Sequence, residues 1–172
     1  MTKKNDSRLI ILAASAAVLI LSGIIIGAVM SSSSESSGGD DDGVAKLAVD
    51  SYSYDFSTIS MANGLAKHTF VISNEGTADL DLSNISTSCM CTTAFLEVDG
   101  DRSPRFGMHS NPKFWSKKLK PGQTANLEVI FDPLAHGPDA TGPITRGVTL
   151  YSNDGGQSSV RSQFTFTGNV VK

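Results

Sequence analysis

The stretch His68-Thr69-Phe70-Val71-Ile72-Ser73-Asn74-Glu75-Gly76 decides the fold. Its alternation puts Phe70 and Ile72 on one face of an extended chain, and Asn74-Glu75-Gly76 supplies the turn that ends the strand. Short runs of the same kind recur on both sides. Residues 46–50 and 54–59 come before. After it, Leu80, Leu82 and Ile85 mark a strand, and residues 91–98 form another that stops at Asp99-Gly100. Residues 125–131 alternate beyond the turn Lys120-Pro121-Gly122-Gln123, and residues 146–151 alternate up to Asn153-Asp154-Gly155-Gly156. The last run covers residues 160–170 and turns Phe164, Phe166 and Val170 inward. From Val44 onward the sequence has no helical period and no internal repeat. About seven or eight short strands predict an all-β, antiparallel sandwich over residues 44–172, large enough to fold around its own core. Residues 99–116 and 133–143 break the spacing and are rich in Gly, Pro and polar residues. They read as long loops, where a rigid scaffold often carries function.

Ahead of the sandwich, Leu9 to Met30 reads LIILAASAAVLILSGIIIGAVM, without charge or proline. As a helix rising about 1.5 Å per residue, it spans a hydrocarbon core of roughly 30 Å. Lys3, Lys4 and Arg8 stand before it, opposed only by Asp6; Glu35, Asp40, Asp41 and Asp42 follow it. Positive charge stays cytoplasmic. This predicts residues 1–8 inside, one transmembrane helix over residues 9–30, and the remainder outside the cytoplasm. A cleaved signal peptide would have a shorter apolar region ending in small residues; this run ends in Ala28-Val29-Met30, and no cysteine follows it to take a lipid. Gly23 and Gly27 have G-x-x-x-G spacing, although small residues in a lipid-facing span explain them more simply. Residues 31–43 form a Ser/Gly/Asp linker that cannot bury a core, and nothing fixes its aspartates around a cation. The formal charge of −3 becomes −5 once the first 30 residues, with Lys3, Lys4, Arg8 and Asp6, are set aside. That argues against nucleic-acid binding.

The ordered series Asp55-Phe56-x-Thr58-Ile59, His68-Thr69-Phe70-x-Ile72-x-Asn74-x-Gly76-x-Ala78-x-Leu80, Ser88-Cys89-x-Cys91-Thr92, Leu119-x-Pro121-Gly122, Val129-Ile130-Phe131-Asp132, Ser152-Asn153-Asp154 and Thr167-Gly168-x-Val170 resembles a known pattern. It is similar to a bacterial family of immunoglobulin-like modules, the domain of unknown function 1573, related to Hydin-type (ASH) domains. The resemblance runs from about Tyr54 to Val170. It implies an Ig-like sandwich on the cell exterior and brings no established activity. The sequence departs from the family in having Met90 rather than glycine between the cysteines, and longer segments before Leu119 and after Asp132. Those segments contain Met108, His109, Trp115 and His136.

Cys89 and Cys91 lie on the oxidising side, where a disulfide is permitted. In an extended strand they share a face with Cα atoms about 6.6 Å apart, near the upper limit for a disulfide, so a bridge needs a local bend. A metal ion suits the spacing better, because two thiolates at about 2.3 Å from a tetrahedral ion have sulfurs roughly 3.8 Å apart. His109 and His136 offer imidazoles; this donor set favours Cu(I) or Zn over Mg or Ca, and Met108 tilts it toward copper. Three readings stay open: a Cu(I) or Zn site using Cys89, Cys91, His109, His136 and Met108, a disulfide with redox activity, and two inert buried thiols. Taken singly, His109 and His136 read as plain loop histidines, His68 as a solvent-facing strand residue, and Met61 and Met90 as packing residues.

The basic strip Lys113-Phe114-Trp115-Ser116-Lys117-Lys118-Leu119-Lys120 offers a contact for anionic lipid or a cell-wall polymer, although an aromatic pair plugging one end of the sandwich is the simpler reading. Asp99-Gly100-Asp101 lacks the later ligands of a calcium loop and reads as a hairpin turn. Asn84-Ile85-Ser86 has the form of a glycosylation sequon, a triplet common by chance. No Gly-x-Ser-x-Gly elbow, P-loop or His-Glu-x-x-His occurs, and a thiol oxidoreductase would more usually carry C-x-x-C at a helix start. The leading expectation is a non-enzymatic, membrane-anchored exterior module that binds proteins or envelope components. Copper or zinc binding and C-x-C thiol–disulfide chemistry are the alternatives.

Overall fold

The computed structural model describes residues 43–109 and 111–172. The expected cytoplasmic segment, the span from Leu9 to Met30 and the linker up to Asp42 lie outside the described residues. Among those described, no helix is long and apolar enough to cross a membrane.

Among the described residues, ten strands make two sheets. One holds, side by side, β1 (Leu47–Val49), β3 (Ala66–Asn74), β8 (Thr124–Phe131), β5 (Thr92–Val98) and β6 (Asp101–Arg102). The other holds β2 (Ser53–Ser60), β10 (Val160–Val171), β9 (Gly142–Ser152), β4 (Leu80–Thr87) and β7 (Ser116–Leu119). The period-two alternation becomes one apolar face per sheet. Phe70, Ile72, Leu96 and Leu127 from the first sheet and Leu80, Leu150, Phe164 and Phe166 from the second are all buried. Each such side chain stabilises the fold by about 1.5–3 kcal/mol relative to exposure.

The expectation of a wholly antiparallel sandwich is corrected at one pair, because β2 runs parallel to β10. Strands joined by hairpins must reverse direction; β2 and β10 come from opposite ends of the domain and carry no such constraint. The spacing Leu80, Leu82, Ile85 also has a structural cause. The register of β4 on β9 shifts between Ser83 and Ser86, and Asn84 there has φ 48°. This β-bulge returns Ile85 to the core side. A second shift, between Thr167 and Asn169 on β10, lies opposite Ser57 of β2, whose φ is 58°.

The two expected long loops are shorter than predicted. Asp99 (φ 51°) and Gly100 (φ 81°) make the two-residue turn of the β5–β6 hairpin, with the left-handed pair that such turns require. Phe106 bridges to Ala94 and is buried, an apolar anchor hidden within polar sequence. The second loop ends early because β9 begins at Gly142, with Pro143 near the strand start, where its missing N–H does little harm.

The sandwich has two unlike ends. At one end Asn74 is fully buried. Its Nδ2 donates to the carbonyls of Ala78 (2.8 Å) and Leu119 (2.9 Å), and its Oδ1 accepts from the N–H groups of Gly76 (2.9 Å) and Lys46 (3.4 Å). Its own N–H donates to Gln123 and its carbonyl accepts from Gly122. The described chain enters at this end, where Val44 accepts from Thr77 and donates to its hydroxyl. At the other end Ala66 and Thr92 both pair with Phe131, and Val170 pairs with Gly142. This register gathers the β2–β3, β4–β5 and β8–β9 connections there.

Candidate functional site

The turn between β4 and β5 is Ser88-Cys89-Met90-Cys91. It is not the extended strand expected from the sequence. The chain bends so that the Cα atoms of Cys89 and Cys91 are 5.2 Å apart, and the two side chains are joined as a disulfide. Local hydrogen bonds impose the bend. Thr87 Oγ1 lies 2.9 Å from the Cys89 carbonyl and 3.1 Å from that of Thr92, and the Thr92 N–H donates to the Cys89 carbonyl. Ser88 pins the turn to β9, donating its N–H to Gly147 and accepting the Gly147 N–H at its hydroxyl (2.8 Å). The Cys91 carbonyl accepts from the Asp132 N–H.

The two sulfurs have different surroundings. Cys91 is buried, at 2% exposure, and its Sγ accepts from Arg146 Nε at 3.3 Å. The Thr92 hydroxyl lies 3.8 Å from the same sulfur. Cys89 is half-buried at the edge of the core. Its Sγ accepts the Cys91 N–H (3.2 Å) and lies 3.3 Å from Nε2 of the exposed His136. A compact turn presents that histidine: Asp132 Oδ1 accepts from Leu134 N–H (2.9 Å), and the Leu134 carbonyl accepts from Gly137 N–H.

Of the five residues expected at one site, the structure brings together three. Donor atoms of Cys89, Cys91 and His136 lie within 4.8 Å of one another. His109 and Met108 stay outside that group. They line, with Met90, Thr92 and Arg105, a hollow of about 180 Å³. A cleft of about 320 Å³, lined by Phe131, Pro133, His136, Ile144 and Arg146 among others, opens on the His136 flank. Arg146 was missed in the sequence, where it reads only as the start of a strand; it sits 55 residues from the sulfur it touches.

Met90 is corrected from a packing residue to a surface one, at 68% exposure, because the bend turns the residue between the cysteines outward. Met61 does pack in the core. Met90, Leu134 and Leu65 are exposed apolar side chains on the connections gathered at this end, and the exposed Met108, from the connection between β6 and β7, lines a hollow with Met90. The bridge spans a sequence separation of 2. By chain entropy, closing so short a loop stabilises by roughly 1–2 kcal/mol, against about 3 kcal/mol for a 15-residue loop.

The basic strip divides. Trp115 packs edge-on against Phe106, with ring centroids 4.9 Å apart, while Phe114 is fully exposed. Lys117 pairs with Asp101, and Lys118 with Asp79 and Asp81, which neutralises much of the strip. His68 is half-buried rather than fully solvent-facing. The ring of Tyr54 stacks on it with centroids 3.6 Å apart, and Phe70 meets it edge-on at 4.6 Å. Burial lowers its pKa, against the opposing pull of Asp50. The alternation that turns Phe70 inward turns His68 the same way, so the signal lay in the sequence.

Fold and site together define an all-β, two-sheet sandwich with a disulfide in one end loop. A family model described as "Protein of unknown function (DUF1573)" matches residues 47–99. That stretch includes both cysteines and is narrower than the span over which the sequence pattern resembled the family. Among solved structures, the chain is similar to a protein of unknown function from Porphyromonas gingivalis, with 18% identity and a TM-score of 0.51 over 73% of this chain and 46% of that one. It is also similar to the ASH/PapD-like domain 7 of human CEP192, with 13% identity and a TM-score of 0.46 over 75% and 87% of the two chains. The E. coli chaperone DraB aligns at 10% identity with a TM-score of 0.44, over 73% of this chain and 55% of that one. No curated protein matches the sequence.

Proposed function

We propose that this protein is a membrane-anchored, extracytoplasmic Ig-like module that binds a protein partner, without catalysing a reaction on it, through the disulfide end of the sandwich. The observation that carries the reading is the exposure of Met90, Met108, Leu134 and Leu65 on the connections around the Cys89–Cys91 turn. Exposed apolar side chains grouped at one place mark contact surfaces more than scattered ones do. Anchoring rests on the apolar run from Leu9 to Met30 and on its flanking charges.

A photo-crosslinking amino acid tests this in the native host. Placed at Met90 or Leu134 it captures a defined protein; placed at Lys120, in the turn at the Asn74 end, it does not. Equal capture from both ends overturns the assignment of the surface. The second reading is Cu(I) or Zn held by Cys89, Cys91 and His136 once the bridge is reduced, and it is favoured by the 4.8 Å grouping of their donors. The guanidinium of Arg146 against Cys91 opposes a cation there. Native mass spectrometry of the reduced chain offered each metal separately decides it: one retained ion, lost in Cys89→Ser, establishes metal binding.

A further inference from the structure

We infer that the Cys89–Cys91 bridge is a thiol–disulfide exchange site that takes two electrons from a dithiol peptide, with Cys89 the sulfur attacked and Cys91 the sulfur that leaves. This goes beyond partner binding, and it stands on the unlike surroundings of the two sulfurs. Exchange needs an accessible sulfur and a leaving sulfur that tolerates negative charge. Cys89 is only partly buried, at the edge of the core beside the exposed His136, which itself lines the cleft. Cys91 is buried, so an incoming thiolate cannot reach it, and the Nε–H of Arg146 already points at its sulfur. A cation beside a cysteine favours its thiolate. The bridge adds little to stability across so short a loop, so opening it leaves the fold standing.

The chemistry balances without a further reagent. A thiolate of the dithiol peptide attacks Cys89 Sγ, the bond between the two sulfurs breaks, and its electron pair departs on Cys91 Sγ beside Arg146. The peptide's second thiol gives its proton to solvent and attacks the peptide sulfur of the mixed disulfide, expelling Cys89 as a thiolate. Cys89 and Cys91 then take up protons from solvent. The peptide is oxidised to a disulfide, and the protein is reduced to two thiols. Two electrons and, overall, two protons are transferred.

The test uses small thiols, so its failure is distinct from a failure to bind a partner. The oxidised full chain is exposed to dithiothreitol at neutral pH, quenched with an alkylating agent at intervals and weighed. The bridge opens in the folded protein, and the rate falls about tenfold in Arg146→Gln and recovers in Arg146→Lys, while the unfolding midpoints of all three agree. In glutathione disulfide, Cys91→Ser gains one glutathione on Cys89, and Cys89→Ser reacts at least about tenfold more slowly. A bridge that opens only on denaturation, an Arg146→Gln rate equal to that of the unaltered protein, or faster glutathione capture by Cys91 overturns the inference.

Discussion

At the Asn74 end of the sandwich both side-chain atoms of a fully buried amide are satisfied by backbone from four residues. At the disulfide end an exposed histidine and an arginine from β9 approach a bridge that closes almost no chain. Both are polar clusters on turns between strands, yet they differ in what their removal does. A satisfied buried amide holds the fold, because each backbone group left unpaired without it carries a desolvation penalty of about 1–3 kcal/mol. A bridge across two bonds in sequence holds little, so its arrangement answers to chemistry at the surface. Polar groups belong to stability where every partner is internal, and to function where one side opens to solvent.

The largest effect that would break this contrast is at Asn74. Asn74→Ala is expected to destabilise the protein by about 4 kcal/mol in urea unfolding, since four backbone partners lose their bonds. Gly76→Ala comes next. A methyl there would lie 2.1 Å from the Val44 carbonyl oxygen and 2.5 Å from the Lys46 nitrogen. The chain entry must shift, at roughly 2–3 kcal/mol by the same measurement. At the opposite end the double variant Cys89→Ser, Cys91→Ser should lose only about 1–2 kcal/mol. A loss as large as that of Asn74→Ala would make the bridge a structural lock.

Between the ends, His68 adds a smaller effect with a definite sign. Burial depresses its folded pKa below the usual value of 6.5. The unfolded chain therefore takes up the proton first, so stability is level above that value and declines as pH falls below it. His68→Phe should flatten this decline between about pH 7 and about pH 5 in thermal unfolding. Smallest is Ser152→Ala. Ser152 Oγ is buried without a hydrogen-bond partner among the described residues. Its removal should change stability by less than about 1 kcal/mol and favour the folded state. That result would sharpen the difference between satisfied and unsatisfied groups within a single sheet.

Strand positions were legible in the sequence because a period of two survives in His68–Ser73, residues 125–131 and residues 160–170, where each strand buries one face. The bulge in β4 was visible only as the odd spacing of Ile85, which an alternation count records without explaining. Asn74 read as a turn residue, since nothing local shows that its amide reaches Leu119, 45 residues away. At the site, the C-x-C pair was evident, but its bend depends on Thr87, Ser88 and Gly147, and its basic neighbour comes from β9. Sequence spacing gave His109 and His136 equal standing. The Asp132 to Gly137 turn brings one to the sulfurs and leaves the other at a separate hollow.

The parallel pairing of β2 with β10 sets an order of events. β10 lies in the interior of its sheet, between β2 and β9, and Asp55 and Thr167, which meet across the pair, are 112 residues apart. That sheet therefore lacks an inner strand until the last strand of the domain is available, and closing so long a loop slows its formation. The two cysteines are neighbours along the chain, but the bend that joins them draws on Gly147 of β9, itself late in the sequence. The full set of contacts around the bridge, with Gly147 and Arg146, therefore assembles only after β9 has joined its sheet.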